Sequence, residues 1–184
     1  MSEKKLTGTK ILMVIAPEQF RDEELLEPKK IFEQAGAQVV VASTLKGKAT
    51  GMLGATVHAD ISLDDAKSPE YKAIVVVGGM GSPEHLWKNT RLHGLLRECS
   101  QKGNVVAGIC LSGAVLANAG VLAAKKATVW ATPESLQALE KGKARYTQEH
   151  VVSDGNVVTA DGPEAAAEFG SAVATALQRV ASKV

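Results

Sequence analysis

Cys110 is the residue of this sequence whose neighbours most favour a chemical role. It follows the apolar run Val105 to Ile109, which predicts a buried strand, and precedes small residues that predict a helix. In open α/β sheets the reactive crevice lies beyond the carboxyl ends of the strands, and a nucleophile on such a turn meets backbone N–H groups. A helix N-terminus also favours thiolate over thiol. We therefore expect a nucleophilic Cys110 with a lowered thiol pKa; the alternative is a buried packing cysteine.

A glycine-rich loop follows another apolar run. Ala73 to Val77 predicts a strand, and Gly78 and Gly79 come directly after it. Glycines at such a point allow a sharp turn and bring a backbone N–H toward the crevice. This loop and the N–H of Leu111 would together form an oxyanion hole beside Cys110. The plainer interpretation is a turn that needs glycine.

Three acidic residues, Asp22 to Glu24, follow the first apolar run and would lie beside the same crevice in a doubly wound sheet. Pro28 predicts that no helix runs through this segment, so we expect the acidic residues in a turn or a first helical turn. A carboxyl directed at the cysteine must be protonated to donate a hydrogen bond to a thiolate, and partial burial raises its pKa in that direction. From these residues alone, an acidic first turn that complements a helix dipole is the simpler interpretation.

The rest of the chain predicts the elements that would position these groups. Short apolar runs rich in β-branched residues predict parallel strands at Lys10 to Ala16, Gln38 to Ala42, Ala73 to Val77 and Val105 to Ile109. Segments with helical spacing lie between them, and an apolar stripe from Phe169 to Val180 predicts a closing helix. Thr50 to Ser62 resembles a hairpin, and Asn156 to Ala160 a further strand. We expect an α/β fold of the flavodoxin-like, doubly wound type, with a mostly parallel central sheet and helices on both faces.

Composition sets wider limits. The 184 residues suit a single domain, 1–184, and 21 basic against 20 acidic residues give no electrostatic support for nucleic-acid binding. No apolar run approaches the roughly 20 residues of a membrane span, so we expect a cytoplasmic protein. The second cysteine, Cys99, falls on the apolar stripe of a predicted helix and is assigned to packing. Its surroundings differ from those of Cys110, which argues against a disulfide.

Together these segments resemble the DJ-1/PfpI (ThiJ) superfamily, whose proteins are class I glutamine amidotransferase-like, over nearly the whole chain. The strand end Ala107 to Cys110 is similar to the family's nucleophile elbow. Asp22 to Pro28 is similar to its acidic segment, in which a glutamate four residues before a proline hydrogen-bonds the cysteine, and this points to Glu24. Val77 to Gly79 resembles the family's Pro-Gly-Gly loop, so that Gly79 would supply an oxyanion-hole N–H.

The sequence also departs from the family's pattern. Leu111 stands where protease-like branches have a histidine directly after the cysteine, and an ungapped count places Trp130 where the DJ-1 branch has its nearby histidine. None of His58, His85, His93 or His150 has an obvious claim on Cys110. Glu84 resembles a loop glutamate that reaches a neighbouring subunit in PfpI-like assemblies, so Glu84 and Trp130 are expected at a subunit interface or at the site.

The resemblance implies a stress-protection enzyme in which Cys110 attacks a reactive carbonyl, Glu24 carries the proton, and the N–H groups of Gly79 and Leu111 hold the oxyanion. Substrates would be 2-oxoaldehydes or their early glycation adducts on proteins and nucleotides, as for a glyoxalase- or deglycase-like hydrolase or lyase. An alternative is a redox-sensing chaperone whose Cys110 is oxidised to a sulfinate. Two others are a PfpI-like intracellular cysteine peptidase, which the missing histidine disfavours, and a protein that binds a small ligand without chemistry.

The resemblance also sets expectations for what binds the chain. It implies no cofactor and no metal. The expected partners are a small carbonyl substrate or a glycated protein and further copies of the chain, as a homodimer or a higher homo-oligomer.

Overall fold

A computed structural model describes residues 4–183 of the chain. Within these residues the strands are β1 Lys10–Val14, β2 Glu18–Phe20, β3 Gln38–Ser43, β4 Gly47–Gly51, β5 Thr56–Ala59, β6 Ile61–Ser62, β7 Ala73–Val76, β8 Val105–Ile109, β9 Lys126–Ala127, β10 Arg145–Tyr146, β11 Val151–Asp154 and β12 Val157–Ala160. The α-helices of the same residues are α1 Asp22–Gln34, α2 Ser82–His85, α3 Thr90–Gln101, α4 Gly113–Ala119, α5 Pro133–Lys141 and α6 Ala166–Ala181. None of these helices is long and apolar enough to cross a bilayer.

The central sheet has seven strands in the order β11-β12-β8-β7-β1-β3-β6. Every pairing is parallel except that of β11 with β12. The chain first moves from β1 to β3 and then returns to the other side of β1 at β7, so the sheet is doubly wound. The predicted flavodoxin-like α/β fold is thus confirmed. The carboxyl ends of β1, β7 and β8 lie side by side, where a doubly wound sheet forms its crevice.

Alternating residues of the buried strands separate two cores. On β1, Ile11 and Met13 belong to the core that α1 and α6 cover. Leu12 and Val14 belong to the opposite core, where α3 and α4 contribute. Because both faces are covered, the strands are continuously apolar, as expected for a parallel sheet. Cys99 lies fully buried in the second core, as predicted, and both cysteines are free.

Helix α1 corrects one expectation. It begins at Asp22 and runs to Gln34, straight through Pro28, which the sequence predicts as a helix breaker. Pro28 is buried and packs against α6, where a Cβ added to Gly170 would lie 3.0 Å from the Pro28 Cα. Proline removes one helical hydrogen bond, but tertiary packing against a glycine compensates for it. The acidic residues do form the first turn of the helix, as one of the two alternatives predicted.

The predicted hairpin between Thr50 and Ser62 forms mainly outside the central sheet. β4 and β5 pair antiparallel, and β2 joins β4 to make a separate three-stranded sheet. β6 instead pairs with the edge strand β3 of the central sheet. The small sheet lies beside α1 and brings the turn between β4 and β5 toward the crevice, as the contacts described next show.

Candidate active site

Cys110 occupies a strained turn between β8 and the helical residues that follow. Its φ is 59°, a left-handed conformation that a residue with a side chain rarely adopts, and it begins a single 3-10 turn that leads into α4. Gly108 permits this sharp turn, because a Cβ there would lie 2.9 Å from the Ser112 carbonyl oxygen. Ser112 fixes the turn to the neighbouring strand end by donating a hydrogen bond of 2.6 Å to the Val77 carbonyl. The geometry is that of a nucleophile elbow.

Two backbone N–H groups lie near the thiol of Cys110 and act to lower its pKa, and they come from different loops. One belongs to Leu111 and the other to Gly79. Gly79 has a φ of 104°, and a Cβ there would lie 2.7 Å from the Phe20 carbonyl carbon, so only glycine fits. The two donors that the sequence predicts as an oxyanion hole therefore lie beside the same thiol.

Glu24 reaches the same sulfur from the first turn of α1. Its side chain is fully buried, and Oε2 accepts a hydrogen bond of 2.8 Å from the N–H of Gly78. The carboxyl also interacts directly with the thiol of Cys110. Oε1 has no hydrogen-bond partner among the described residues. Burial raises the pKa of Glu24 to about 7, in the direction that the sequence predicts.

The expected lowering of the Cys110 pKa does not occur. Cys110 is 7% exposed, and its burial raises the pKa of the thiol; the negative charge of Glu24 raises it further. The N–H groups of Leu111 and Gly79 act in the opposite direction but do not outweigh burial. The helix that should favour thiolate is short, since α4 has seven residues and starts after a 3-10 turn. Burial therefore favours the protonated form of the thiol, beside Glu24, whose own pKa is raised to about 7.

A small pocket of about 140 Å³ opens directly above Cys110. Its walls are apolar side chains and one cation, contributed by Arg21, Met52, Met80, Leu111, Trp130 and Pro163. Sequence reasoning missed Arg21, Met52 and Pro163 as parts of the site. Arg21 immediately precedes the acidic segment, so its position in the sequence could have indicated that it lies near the site. Met52 reaches the pocket through the pairing of β4 and β5, and no local sequence pattern predicts this.

Arg21 is held by its neighbour Glu23. Nε and Nη2 of the guanidinium donate hydrogen bonds of 2.8 Å and 3.0 Å to the two carboxylate oxygens of Glu23. This pair raises the pKa of Arg21 and lowers that of Glu23. The guanidinium is also near enough to lower the pKa of Glu24 electrostatically. The guanidinium of Arg21 thus lies at the rim of the pocket with its positive charge balanced by Glu23.

Trp130 lies at the mouth of the pocket, where its ring is half exposed. Its backbone N–H donates a hydrogen bond of 3.1 Å to the carbonyl of Cys110. The residue that replaces the DJ-1 histidine in an ungapped count therefore does lie beside the cysteine. A wider cleft of about 930 Å³ adjoins the pocket and shares Arg21, Trp130 and Pro163 with it.

Glu84 lies elsewhere. It is exposed on α2 and does not line the pocket above Cys110. Its carboxylate lies 4.0 Å from Nε2 of His85, which is 3.4 Å from Glu18. Ligand atoms of these three residues lie within 4.8 Å of one another, the one such metal-compatible group in residues 4–183.

The described residues place no histidine in the pocket wall. His150 lines the adjoining cleft and is paired through Nδ1 with Asp161 at 2.8 Å. His93 contacts the carbonyl of Trp87 through Nε2. A Cys–His pair is therefore not part of the arrangement around Cys110, and Glu24 is the titratable neighbour of the thiol.

Comparison with known proteins agrees with this geometry. A model of the DJ-1/PfpI family matches residues 9–176. An uncharacterised protein of Methanocaldococcus jannaschii is 48% identical over 176 residues, which cover 96% of this chain and 86% of that protein. Deglycase PfpI of Pyrococcus furiosus is 33% identical over 152 residues, which cover 83% of this chain and 90% of that enzyme.

Solved structures give the same result. A ThiJ/PfpI domain protein from Brachyspira murdochii superimposes with a TM-score of 0.88 at 35% identity, covering 94% of this chain and 98% of that one. DJ-1beta of Drosophila melanogaster superimposes with a TM-score of 0.81 at 27% identity, covering 95% and 96%. The chain belongs to the DJ-1/PfpI family.

Proposed function

We propose that this protein is a cysteine-dependent enzyme that acts on reactive carbonyls, namely 2-oxoaldehydes and the early adducts they form on amines. One observation carries the proposal: a cysteine in a strained turn, with two backbone N–H groups and a buried carboxyl beside its thiol. Relatives whose names describe them as deglycases, at about one-third identity, support the same class of reaction.

The first step is addition of the thiol to the aldehyde. Burial favours protonated Cys110, so its proton leaves while the carbon–sulfur bond forms, and the carboxylate of Glu24 is the adjacent base. The aldehyde oxygen gains the electron pair of its π bond and is stabilised by the N–H groups of Gly79 and Leu111. Glu24 then returns the proton to that oxygen, which yields a hemithioacetal.

The second step converts the hemithioacetal into product. Glu24 removes the hydrogen on the former aldehyde carbon as a proton, giving an enediolate whose charge lies on the ketone oxygen. The hydroxyl proton of the former aldehyde carbon moves to that oxygen, and Glu24 returns its own proton to the ketone carbon, giving a thioester. Water then cleaves the carbon–sulfur bond, restores the thiol and releases a 2-hydroxy acid. The net reaction is 2-oxoaldehyde plus water to 2-hydroxy acid, so no oxidant is needed. A pKa of about 7 suits a group that accepts and returns a proton at neutral pH.

The test is methylglyoxal consumption with chromatographic detection of lactate, for wild type, Cys110→Ser and Glu24→Gln. We expect Cys110→Ser to abolish turnover and Glu24→Gln to reduce it about 10²-fold or more. Cys99→Ala is the matched control, because it removes the other cysteine from the core without touching the site, and it should retain turnover. Lactate formation by Cys110→Ser at the wild-type rate would overturn the proposal.

The redox-sensing alternative uses the same groups without turnover, since a sulfinate on Cys110 would also be held by two N–H donors and by protonated Glu24. Mass spectrometry after mild peroxide separates the two functions: a clean two-oxygen adduct in a protein that turns over no carbonyl favours the sensor. Peptidase activity is not favoured, because an amine leaving group needs a strong general acid and no histidine of the described chain lines the pocket.

A further inference from the structure

The pocket above Cys110 has the size of an aromatic ring. Its volume is about 140 Å³, and Cys110 is one of its lining residues. An apolar protein cavity of about 150 Å³ accommodates benzene. The methyl group of methylglyoxal would leave most of this space unfilled, and the side chains that line unfilled apolar space lose van der Waals contacts.

Trp130 forms one wall of this pocket, and its backbone is fixed at two points. The backbone N–H donates a hydrogen bond of 3.1 Å to the Cys110 carbonyl, and the backbone carbonyl accepts a hydrogen bond of 2.7 Å from Oγ of Ser135. The indole lies against Gly162, where an added Cβ would come within 2.9 Å of the ring. The ring is half exposed and has one face free for a ligand, and its anchored backbone reduces the freedom that it loses when a ligand packs on it.

Two methionine side chains, Met52 and Met80, also line the pocket. Met52 is 39% exposed and Met80 is 60% exposed, and the N–H of Met80 approaches Sδ of Met52 at 3.4 Å. Methionine sulfur makes favourable contacts with aromatic rings, and its flexible side chain fits ligands of irregular shape. Arg21, the charged residue of the lining, is already paired with Glu23, so the pocket offers little to an anionic group.

We propose that this pocket selects 2-oxoaldehydes whose ketone carries an aryl group, such as phenylglyoxal, and that Trp130 is the residue that sets this preference. The identity of the reaction rests on the proposed function, whereas recognition of the aryl group rests on the pocket alone. The aldehyde carbon lies at the sulfur of Cys110, and the aryl group packs between the indole and the thioethers.

The first measurement is the ratio of kcat/KM for phenylglyoxal to that for methylglyoxal. We expect a ratio of at least about tenfold in wild type, the discrimination typical of a hydrophobic pocket filled by a larger group. Trp130→Ala should reduce the ratio to near one, and Trp130→Phe should retain most of it. Leu45→Ala, which removes an exposed apolar side chain outside the pocket, is the control and should leave the ratio unchanged.

The second measurement does not depend on turnover. Bromoacetophenone and bromoacetone alkylate thiols when sulfur displaces bromide, and N-acetylcysteine supplies the intrinsic ratio of the two rates. For Cys110, we expect the ratio of the bromoacetophenone rate to the bromoacetone rate to be about tenfold higher than the ratio for N-acetylcysteine. In Trp130→Ala this excess should disappear. Iodoacetamide, which carries no ring, should alkylate both proteins at similar rates and so shows that the variant keeps its site.

The two measurements separate the two proposals. If no aldehyde is turned over but the alkylation excess is present and requires Trp130, the reaction is wrong and the aryl pocket stands. If aldehydes are turned over but wild type lacks the excess, or Trp130→Ala retains it, the aryl pocket is wrong and the reaction stands.

Discussion

Glu24 accepts through Oε2 a 2.8 Å hydrogen bond from the N–H of Gly78, while the same carboxyl interacts with the thiol of Cys110. One buried group thus joins the glycine loop after β7 to the elbow after β8. Because burial disfavours the charged carboxylate, ionisation of Glu24 lowers the stability of the folded protein. Two kinds of pH dependence follow from this, one in stability and one in turnover.

Stability should fall as pH rises from about 4.5 to about 7. The pKa of Glu24 is raised from 4.5 to about 7, so the folded chain holds a proton that the unfolded chain releases. Protonation therefore stabilises the fold below pH 4.5, and this contribution is lost as pH rises through the folded pKa. Glu24→Gln cannot ionise, so wild type should lose about 3 kcal/mol relative to it across this window.

Urea unfolding of the two proteins at pH 5 and pH 8 measures that difference. Glu27→Gln, on the exposed side of the same helix, is the matched control, because an exposed carboxyl remains solvated after folding. The prediction would be contradicted if the difference in the free energy of unfolding between wild type and Glu24→Gln were the same at pH 5 and at pH 8.

The pH dependence of turnover should move in opposite directions in two neighbouring variants. If ionised Glu24 is the base, kcat/KM rises with pH near 7 in wild type. The positive charge of Arg21 lowers the pKa of Glu24 and the negative charge of Glu23 raises it. Arg21→Gln should therefore shift the rise to higher pH, and Glu23→Gln to lower pH. Equal shifts in both variants, or none, would exclude Glu24 as the titrating base.

Much of this arrangement can be predicted from local patterns in the sequence. The apolar runs identify β1, β3, β7 and β8, and the small residues after β8 place Cys110 at their junction with a helix. Each of these signals can be recognised in a short stretch of sequence. A doubly wound sheet then brings the carboxyl ends of these strands to one edge, so the segments that follow the strands are expected to meet. The placement of the Gly79 and Leu111 N–H groups beside Cys110 follows from the same rule.

The failures arise where tertiary contacts override local preference. Pro28 remains helical because Gly170 of α6 lets the two helices approach closely. The thiol pKa is raised because burial outweighs a short helix dipole, and burial is a property of the whole fold. Met52 enters the pocket through a hairpin that pairs with β2, which no sequence period indicates.

Two glycine substitutions should have opposite effects. Gly79 has a φ of 104° and no space for a Cβ, so Gly79→Ala should destabilise the protein by about 2 kcal/mol or more. It should also displace an oxyanion-hole N–H and lower kcat about 10²-fold. Gly94, inside α3, has open space around it, so Gly94→Ala should stabilise by up to about 1 kcal/mol. Thermal unfolding and methylglyoxal turnover measure both effects; a stable, active Gly79→Ala would refute the geometry.

Asp22 should hold the turn that carries Met52 to the pocket. The carboxyl of Asp22 is buried, and Oδ2 accepts hydrogen bonds from the N–H groups of Leu53 at 2.9 Å and Ala55 at 3.4 Å. Asp22→Ala leaves these donors unpaired in partly buried surroundings, which should cost about 1–3 kcal/mol. Asp22→Asn keeps an acceptor oxygen and should cost less.

The measurement is amide hydrogen exchange at Leu53 and Ala55, which should accelerate in Asp22→Ala more than exchange in the central sheet does. Asp64→Ala, an exposed aspartate in another turn, is the control and should leave both amides unchanged. Because the loosened turn also bears Met52, the aryl selectivity of Cys110 alkylation should fall in Asp22→Ala while the iodoacetamide rate persists. Protected amides together with lost selectivity would show that Asp22 acts on the pocket by some route other than this turn.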